Sequence, residues 1–189
     1  MDNIFFDLNK LKSVGKNVII GKTVRIRYPE LVEIGDNVII DDFSYISTQL
    51  KIGSYVHIAP GCKLIGGRDS YIELNDFVTL APNTVLAAGS DDYISGLTHP
   101  MIPLQFRGAI KIGKIIIKKY VIIGANSAVL PDIVFNEGAV TGALTFVKHN
   151  CKEWTVYAGI PAKEIKKRNK KEILELERNF SRFLKSDNS

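Results

Sequence analysis

The strongest constraint on the fold is a strict spacing of aliphatic residues over positions 31–64. Written in sixes from Ile34, the chain reads IGDNVI, IDDFSY, ISTQLK, IGSYVH and IAPGCK before Leu64. An aliphatic residue opens each six, and a small or apolar residue follows four places later. A helix repeats every ~3.6 residues and a strand every two, so neither element produces this period. Short strands joined by tight corners do produce it, and the pattern predicts a hexapeptide β-solenoid.

The same spacing recurs on both sides of this stretch, with interruptions. It starts at Val14, changes phase near Tyr28 and again at Gly66, and stops after Leu86. It returns over residues 117–147. Roughly 19 hexapeptides, at three per turn, predict about six turns and a body about 30 Å tall.

Three segments fall outside the repeats. Residues 87–111 hold several glycines and prolines and predict one extended loop, and a loop of this length is typically functional. Residues 1–12 carry apolar side chains at helical spacing and predict a short N-terminal helix that caps the first turn. Residues 148–162 predict irregular structure, and 163–185 predict a C-terminal amphipathic helix. The predicted organisation is a solenoid domain over 1–162 and a helix with its tail over 163–189.

The composition is ordinary for a globular protein, and the two cysteines favour a cytoplasmic location. Hydrophobic residues make up 46% of the 189 positions, charged residues make up 24%, and the net charge is +5. The first residues include acids and no long apolar run, so we expect no signal peptide and no membrane insertion. We expect Cys62 and Cys151 to be reduced thiols. The basic cluster over 163–171 has no interleaved aromatic residues, so we do not expect nucleic-acid binding.

Several segments resemble the hexapeptide acyltransferases. They are the aliphatic-Gly sixes, the loop with His99-Pro100, the run IIGANSAVLP at 122–131 and the ending AGIPAKEIKKR at 158–168. The resemblance is to the sugar O-acetyltransferase and nucleotide-sugar N-acyltransferase branches. It implies an all-β, left-handed parallel β-helix, a homotrimer with active sites between neighbouring prisms, and acetyl-CoA as co-substrate without a metal.

Two histidines are candidates for the catalytic base, because imidazole accepts a proton near neutral pH. The resemblance implies that His99, in the loop, serves as this base, and the alternative is an exposed loop histidine. His57 lies in SYVHIAPGC, which is similar to an active-site segment of the bacillosamine-type N-acetyltransferases. The acid-adjacent base of those enzymes would fall near Thr48 and is absent here. The alternative for His57 is a polar corner residue bonded to backbone.

The acceptor candidates are Asp69, Asp92 and Tyr93. Asp69 stands in GGRDSYI, which aligns with a sugar-binding Asp of the galactoside-type acetyltransferases. The Asn that accompanies it there is replaced by Gly61, so the acceptor is expected to differ from a simple galactoside. Turn formation is the alternative role for Asp69. Asp92 and Tyr93, at the head of the loop, are expected to shape the acceptor pocket.

The coenzyme A candidates lie in the last turns. The resemblance places small corner residues along the pantetheine arm and lysines at the phosphates, where an ammonium group acts as a point charge. A lysine at the start of a helix is electrostatically unfavourable, and a phosphate would relieve this. The candidate cofactor residues are Gly124, Ala125, Gly142, Ala143, Lys148, Lys163 and Lys166.

Other functional classes fit less well. The sequence contains no P-loop, no GxGxxG and no metal-spaced Cys/His cluster. A γ-carbonic-anhydrase-like solenoid needs three histidines around a metal, and the spacing of the histidines at 57, 99 and 149 does not reproduce that arrangement. A structural scaffold would need neither the His-containing loop nor the basic ending. The preferred hypothesis is N-acetylation of a nucleotide-linked amino-deoxy sugar for a bacterial surface polysaccharide, with O-acetylation of a sugar hydroxyl as the alternative.

Overall fold

A computed structural model of the chain describes residues 3–186. It contains twenty strands, one α-helix and three short 3-10 turns. The strands are β1 (Ser13–Val14), β2 (Ile19–Ile20), β3 (Arg25–Ile26), β4 (Val32–Ile34), β5 (Ile39–Ile40), β6 (Tyr45–Ile52), β7 (His57–Ile58), β8 (Lys63–Leu74), β9 (Thr79–Leu80), β10 (Val85–Ala87), β11 (Gly89–Ser90), β12 (Lys111–Ile112), β13 (Lys114–Ile117), β14 (Ile122–Ile123), β15 (Ala128–Val129), β16 (Ile133–Phe135), β17 (Val140–Thr141), β18 (Phe146–Val147), β19 (Thr155–Ala158) and β20 (Lys163–Lys167). The helix is α1 (Lys170–Ser186), and the 3-10 turns are Leu8–Lys10, Pro29–Leu31 and Leu104–Phe106.

The strands form the three faces of a prism. Face 1 stacks β2, β5, β7, β9, β14, β17 and β19, all in parallel. Face 2 holds β3, β10, β15, β18 and the first halves of β6 and β8. Face 3 holds β1, β4, β13, β16 and the second halves of β6 and β8. The architecture is the predicted left-handed parallel β-helix.

The number of turns differs slightly from the prediction. Face 1 alone contains seven stacked parallel strands, so the prism has about seven turns rather than six. The additional turn is the last one, which includes β19 (Thr155–Ala158). This segment was predicted to be irregular because its sequence lacks the repeat, yet β19 pairs in parallel with β17.

The aliphatic residues that open the sixes fill the interior. Ile40, Ile46, Ile58, Leu64 and Leu80 are all fully buried. Burial of each such side chain contributes about 1.5–3 kcal/mol. Val14 is the exception at 53% exposed, because it lies at the open end of the first turn. The periodic positions therefore identify the core.

The N-terminal prediction was wrong in its element but right in its location. Among the described residues of this segment, the helical turn is the 3-10 turn Leu8–Lys10, and Met1 and Asp2 lie outside the described residues. The Asn3 side chain donates to the carbonyls of Gly21 and Val24, which draws the segment across the first turn. Phe6 and Leu8 pack against the core there. Tertiary contacts outweigh the helical spacing.

The C-terminal helix begins later than predicted. Residues 163–167 form β20, which pairs in antiparallel fashion with β19, and α1 begins only at Lys170. Because β19 is the last parallel strand, β20 occupies an edge that would otherwise be open to another chain. The cationic residues at 163–167 are therefore on a strand and not at a helix N-terminus, and the dipole argument for them was wrong.

One corner of the prism, between faces 3 and 1, is built from stacked aromatic side chains. We call it the aromatic corner, and it consists of Tyr55, Phe77, Tyr120 and Trp154. The ring centroids of Tyr55 and Phe77 are 5.1 Å apart, those of Phe77 and Tyr120 are 5.6 Å apart, and those of Tyr120 and Trp154 are 5.7 Å apart. All four residues adopt positive φ angles, between 50° and 61°. Each aromatic contact contributes about 0.5–1.5 kcal/mol beyond burial.

The aromatic corner also anchors the helix. Phe180 of α1 packs edge-on against Tyr55 and Phe77. Glu177 accepts hydrogen bonds from Lys119 and Tyr120, and the Lys119 ammonium holds the pKa of this carboxyl below its usual range. Arg168, just before the helix, donates to the carbonyl of Gly138, and burial lowers its pKa. The helix thus fastens successive turns to one another.

Gly138 gives the first testable prediction. Its φ is +69°, and a Cβ there would lie 2.4 Å from an atom of the Trp154 ring. Gly138→Ala combines left-handed strain of about 1–2 kcal/mol with overpacking of about 1–3 kcal/mol, so we expect a loss of about 2–5 kcal/mol in the free energy of unfolding. Urea denaturation followed by fluorescence measures this loss, because Trp154 is the single tryptophan.

Gly67 provides the matched control. Its φ is +83°, but a Cβ there would meet nothing within 4 Å. Gly67→Ala is therefore expected to cost only the left-handed strain and to leave the emission of Trp154 unchanged. Equal losses in the two variants would contradict the role assigned to the Trp154 contact.

Candidate functional site

A second corner, between faces 1 and 2, carries a row of small residues. We call it the small-residue corner, defined by Ala59, Ala81, Gly124, Gly142 and Ala158. Each of these residues either directly follows a strand of face 1 or is the last residue of one. Backbone hydrogen bonds join successive turns at this corner: Ala59 N donates to Leu80 O at 2.9 Å, and Gly142 N donates to Tyr157 O at 2.8 Å. Successive members are therefore one turn apart, about 4.8 Å. No side chain of the row itself is larger than a methyl group.

The two glycines of the row differ in whether packing within the prism requires a glycine there. A Cβ on Gly124 would lie 2.3 Å from the backbone of Gly142, so packing alone requires glycine at this position. A Cβ on Gly142 would meet the Cβ of Ala158 at 3.5 Å and the carbonyl oxygen of Tyr157 at 3.7 Å, which are both ordinary contact distances. Packing does not explain Gly142. Ala125 is half-buried beside this row and Ala143 is exposed.

The basic candidates divide between two places. Lys163 pairs with Ala158 in the β19–β20 ladder, so it lies at the C-terminal end of the small-residue row. Lys166 pairs with Val156 on the same strand, and both lysines are exposed. Lys148, also exposed, directly follows β18 and lies across face 2 from that row. The structure therefore brings Lys163 and Lys166, but not Lys148, to the end of the row.

His57 lies on face 1 beside the N-terminal end of the row and has a carboxylate partner. Its Nε2 is 2.8 Å from Oδ2 of Asp41, and the two side chains are 45% and 37% exposed. His57 is in register with Ile39 of the preceding turn, so Asp41 follows two residues after that partner. The predicted alternative, a histidine bonded to backbone, does not describe this contact. Asp41 was not among the predicted site residues. The equivalent position in each of the next two turns is an alanine, so a carboxylate stands out there.

At the third corner, between faces 2 and 3, two segments leave the regular coil and project from the prism. We call it the loop corner, defined by residues 66–69 and 88–113. The predicted turn at 66–69 lies within the continuous strand β8, and Asp69 is exposed there. These two segments contact each other at Gly66 and Gly89, because a Cβ added to Gly66 would lie 2.8 Å from the backbone nitrogen of Gly89. The β11–β12 pair closes the base of the long loop.

The head of the loop is organised by two carboxylates. Asp91 forms an ion pair of 2.6 Å with Arg107, and both side chains are mostly buried. Asp92 accepts hydrogen bonds from the backbone nitrogens of Ser95, Ile94 and Ala109, and these bonds lower its pKa. The Asp92 carboxylate thus holds the loop together in this chain, while Tyr93 is 81% exposed and stays available for a partner or ligand.

His99 lies in the exposed part of the same loop. Its Nδ1 accepts a hydrogen bond from the backbone nitrogen of Met101 at 3.2 Å. His99, Asp92, Tyr93 and Asp69 therefore belong to the loop corner, whereas His57 and the glycines belong to the small-residue corner. Within one prism the candidate acceptor residues and most candidate coenzyme residues stand on opposite sides of face 2.

Both cysteines are free and buried, and burial raises the pKa of Cys62 to about 11 and of Cys151 to about 12. Residues 3–186 contain no cluster of three or more His, Cys, Asp or Glu side chains that could hold a metal ion. Over the same residues, no helix combines the length and apolar character needed to cross a membrane.

Comparison with known proteins identifies relatives along the whole chain. Residues 32–66 match the family model for the bacterial transferase hexapeptide (six repeats). The chain is 38% identical to dTDP-4-amino-4,6-dideoxy-D-glucose acyltransferase from Escherichia coli, over 100% of this chain and 98% of that protein.

Solved structures agree with this similarity. AntD, an N-acyltransferase from Bacillus cereus crystallised with dTDP and 3-hydroxybutyryl-CoA, is 42% identical over 99% of this chain and 100% of its own, with a TM-score of 0.88. A variant of AntD in complex with dTDP-4-amino-4,6-dideoxyglucose and coenzyme A is 41% identical, with a TM-score of 0.87 and coverage of 95% and 98%. A maltose O-acetyltransferase from Clostridium difficile 630 is 25% identical over 86% of this chain and 73% of its own, with a TM-score of 0.57.

Proposed function

Because this chain belongs to the hexapeptide-repeat acyltransferase family, we propose that it transfers an acyl group from coenzyme A to the amino group of a nucleotide-linked amino-deoxy sugar. The observation that carries this proposal is similarity over the full length to acyltransferases of one acceptor type. Identity of 38–42% extends over 98–100% of the E. coli and AntD proteins, and a variant of AntD was crystallised with dTDP-4-amino-4,6-dideoxyglucose. The acyl donor that we expect is acetyl-CoA.

The small-residue corner suits the pantetheine arm of the donor. Pantetheine carries amides that bind exposed backbone groups, and bulky side chains would block that approach. Gly142 supports this assignment, because packing within the prism leaves room for a larger residue there. Ala125 and Ala143 would lie beside the arm. Lys163 and Lys166, at the end of the row, would bind phosphates as point charges.

The loop corner suits the acceptor. Asp69 is an exposed carboxylate that can accept hydrogen bonds from sugar hydroxyls or an ammonium group. Tyr93 offers an exposed ring at the head of the loop, and His99 lies further along it. Asp92 would contribute indirectly, because its carboxylate fixes the loop that presents these side chains.

The separation of the two corners supports a homotrimer. A donor on one corner and an acceptor on another cannot react within one prism, whereas the loop of one prism can reach the small-residue corner of its neighbour. The loop carries exposed apolar side chains suited to such a contact, including Tyr93, Ile94 at 96% and Met101 at 85% exposed. Each active site would then contain residues of two chains, and a monomer would be inactive.

Sedimentation equilibrium tests the assembly. We expect a mass of three times the 21.0 kDa of one chain at the concentrations used for activity. Full activity from a species with the mass of one chain would refute the shared site.

The product class and the cell compartment follow from the substrates. Acylated amino sugars on nucleotide carriers suit the assembly of a bacterial surface polysaccharide such as lipopolysaccharide. Nucleotide sugars and acyl-CoA are made in the cytoplasm, so we place the enzyme there. The alternative reaction, O-acetylation of a sugar hydroxyl, is favoured by the similarity to a maltose O-acetyltransferase.

The proposed reaction is tested by incubating the protein with acetyl-CoA or 3-hydroxybutyryl-CoA and a panel of dTDP-linked 3- and 4-amino sugars. Thiol release measures turnover, and the matched hydroxy sugars serve as controls. We expect thiol release only with the amino sugars. Turnover with the hydroxy sugars alone would favour O-acetylation. If acyl-CoA gives neither thiol release nor a higher melting temperature, the protein is a structural scaffold.

The two glycines of the small-residue corner separate packing from donor binding. Gly142→Ala fits the prism, so we expect an unchanged melting temperature and a KM for the acyl donor raised about tenfold, equivalent to ~1.4 kcal/mol of binding. Gly124→Ala is the contrast, because its Cβ would overlap the Gly142 backbone. It is expected to lower the melting temperature. If Gly142→Ala leaves the donor KM unchanged, the pantetheine arm does not run along this row.

A further inference from the structure

The geometry points to Asp41 as the positioning residue of the catalytic base, with His57 as that base. The inference deepens the proposed acyl transfer and rests on it. It assigns a role to a carboxylate that the sequence did not single out, and it chooses between the two candidate histidines.

The contact itself determines the state of the imidazole ring. An ionised carboxylate only accepts hydrogen bonds, so the ring nitrogen that faces it must carry a proton. Asp41 Oδ2 lies 2.8 Å from Nε2 of His57, and this fixes the proton of the neutral ring on Nε2. Nδ1 is then the nitrogen with the free lone pair. Within residues 3–186, Nδ1 of His57 makes no hydrogen bond, so it remains able to accept a proton from a substrate.

His99 has the opposite arrangement. Its Nδ1 accepts a hydrogen bond from the Met101 backbone nitrogen, so the lone pair of the neutral ring is used inside its own loop. The contacts of its ring include no carboxylate among the described residues. Of the two candidate histidines, His57 is therefore the one that combines a free lone pair with an anion that stabilises the imidazolium formed after proton transfer.

The position of the pair matches the path proposed for the donor. Asp41 lies one turn before Ala59 at the position equivalent to the small-residue row. Its backbone nitrogen donates to the carbonyl of Ile58, just as that of Ala59 donates to the carbonyl of Leu80 in the next turn. Four turns separate the turn of His57 from that of Ala158 and Lys163, which is about 19 Å. Phosphates bound at Lys163 would let an extended pantetheine arm bring its thioester toward His57. The ring lies between Ile39 and Thr79 on adjacent turns, so Asp41 is the charged group that it contacts.

The proposed reaction is attack of the acceptor amine on the thioester. The amine nitrogen of the acceptor forms a bond to the carbonyl carbon of the thioester, and the carbon–sulfur bond breaks. The proton lost by nitrogen passes to Nδ1 of His57 and then to the departing thiolate of coenzyme A. The Asp41 carboxylate holds the ring while the imidazolium exists.

The test compares Asp41→Asn and His57→Gln with Asp42→Asn in the complete protein, using a dTDP-linked amino sugar and acetyl-CoA. The Asp42 carboxylate binds the backbone and hydroxyl of Thr23 at 2.8 and 2.6 Å and belongs to the same turn, so it is the matched control. We expect Asp41→Asn and His57→Gln to lower kcat about 100-fold or more with little change in either KM. Asp42→Asn should retain the parent kcat.

Two further measurements separate positioning from folding. Asp41→Glu should recover part of the kcat that Asp41→Ala loses, at equal melting temperatures. Nitrogen-15 NMR of the His57 ring should show the proton on Nε2 in the parent, and a shift of that proton toward Nδ1 in Asp41→Asn. A purely structural Asp41 would leave the ring tautomer unchanged.

The possible results separate the base assignment, the positioning role of Asp41 and the acyltransferase function. Full turnover in His57→Gln overturns the base assignment while leaving the acyltransferase function intact, and loss in His99→Ala alone would identify the loop histidine instead. Parent-like kcat and tautomer in Asp41→Asn overturn the positioning role. Absence of turnover in the parent protein with every donor and acceptor overturns the function itself and the inference with it.

Discussion

The whole structure depends on backbone hydrogen bonds between successive turns of the coil. Each strand bonds to its equivalents one turn above and below, as Ile39 does with Val56 and His57 with Val78. Equivalent positions are therefore held about 4.8 Å apart along the prism. At that spacing, neighbours in a row touch directly, and each residue must be compatible with the residue one turn away. Gly124 against Gly142 and Tyr55 against Phe77 are two solutions to the same constraint.

Because equivalent positions stack, residues of similar type on successive turns form rows along the corners of the prism. The aromatic corner is covered by α1 through Phe180 and serves stability. The small-residue corner remains open and has polar groups at both ends, His57 with Asp41 at one and Lys163 at the other. The loop corner extends away from the prism. The second and third corners lie on either side of face 2, so the donor and acceptor sites that we propose are separated within one chain.

The candidate site was predictable in part. Gly124 and Gly142 were identified by their place in the repeat, and the structure puts them in one row because the repeat fixes their turn. Asp92 was selected for the acceptor, but its carboxylate binds backbone nitrogens of its own loop. That role depends on how residues 92–109 close on themselves. Asp41 was missed because sixteen residues separate it from His57, and only the register of adjacent turns brings them together.

The solenoid, its buried aliphatic rows and the position of the loop all follow from the local sequence, because a period of six places one aliphatic side chain inside each short strand. The structure of the two ends depends on packing instead. The helical spacing of residues 3–12 yields to contacts with the first turn, and residues 163–167 become strand β20 because β19 offers an unpaired edge. The tertiary structure also decided which polar side chains meet, since such contacts depend on the register between turns. The repeated turns are thus specified by local sequence, whereas the two ends of the solenoid and the polar contacts of the candidate site depend on residues distant in the chain.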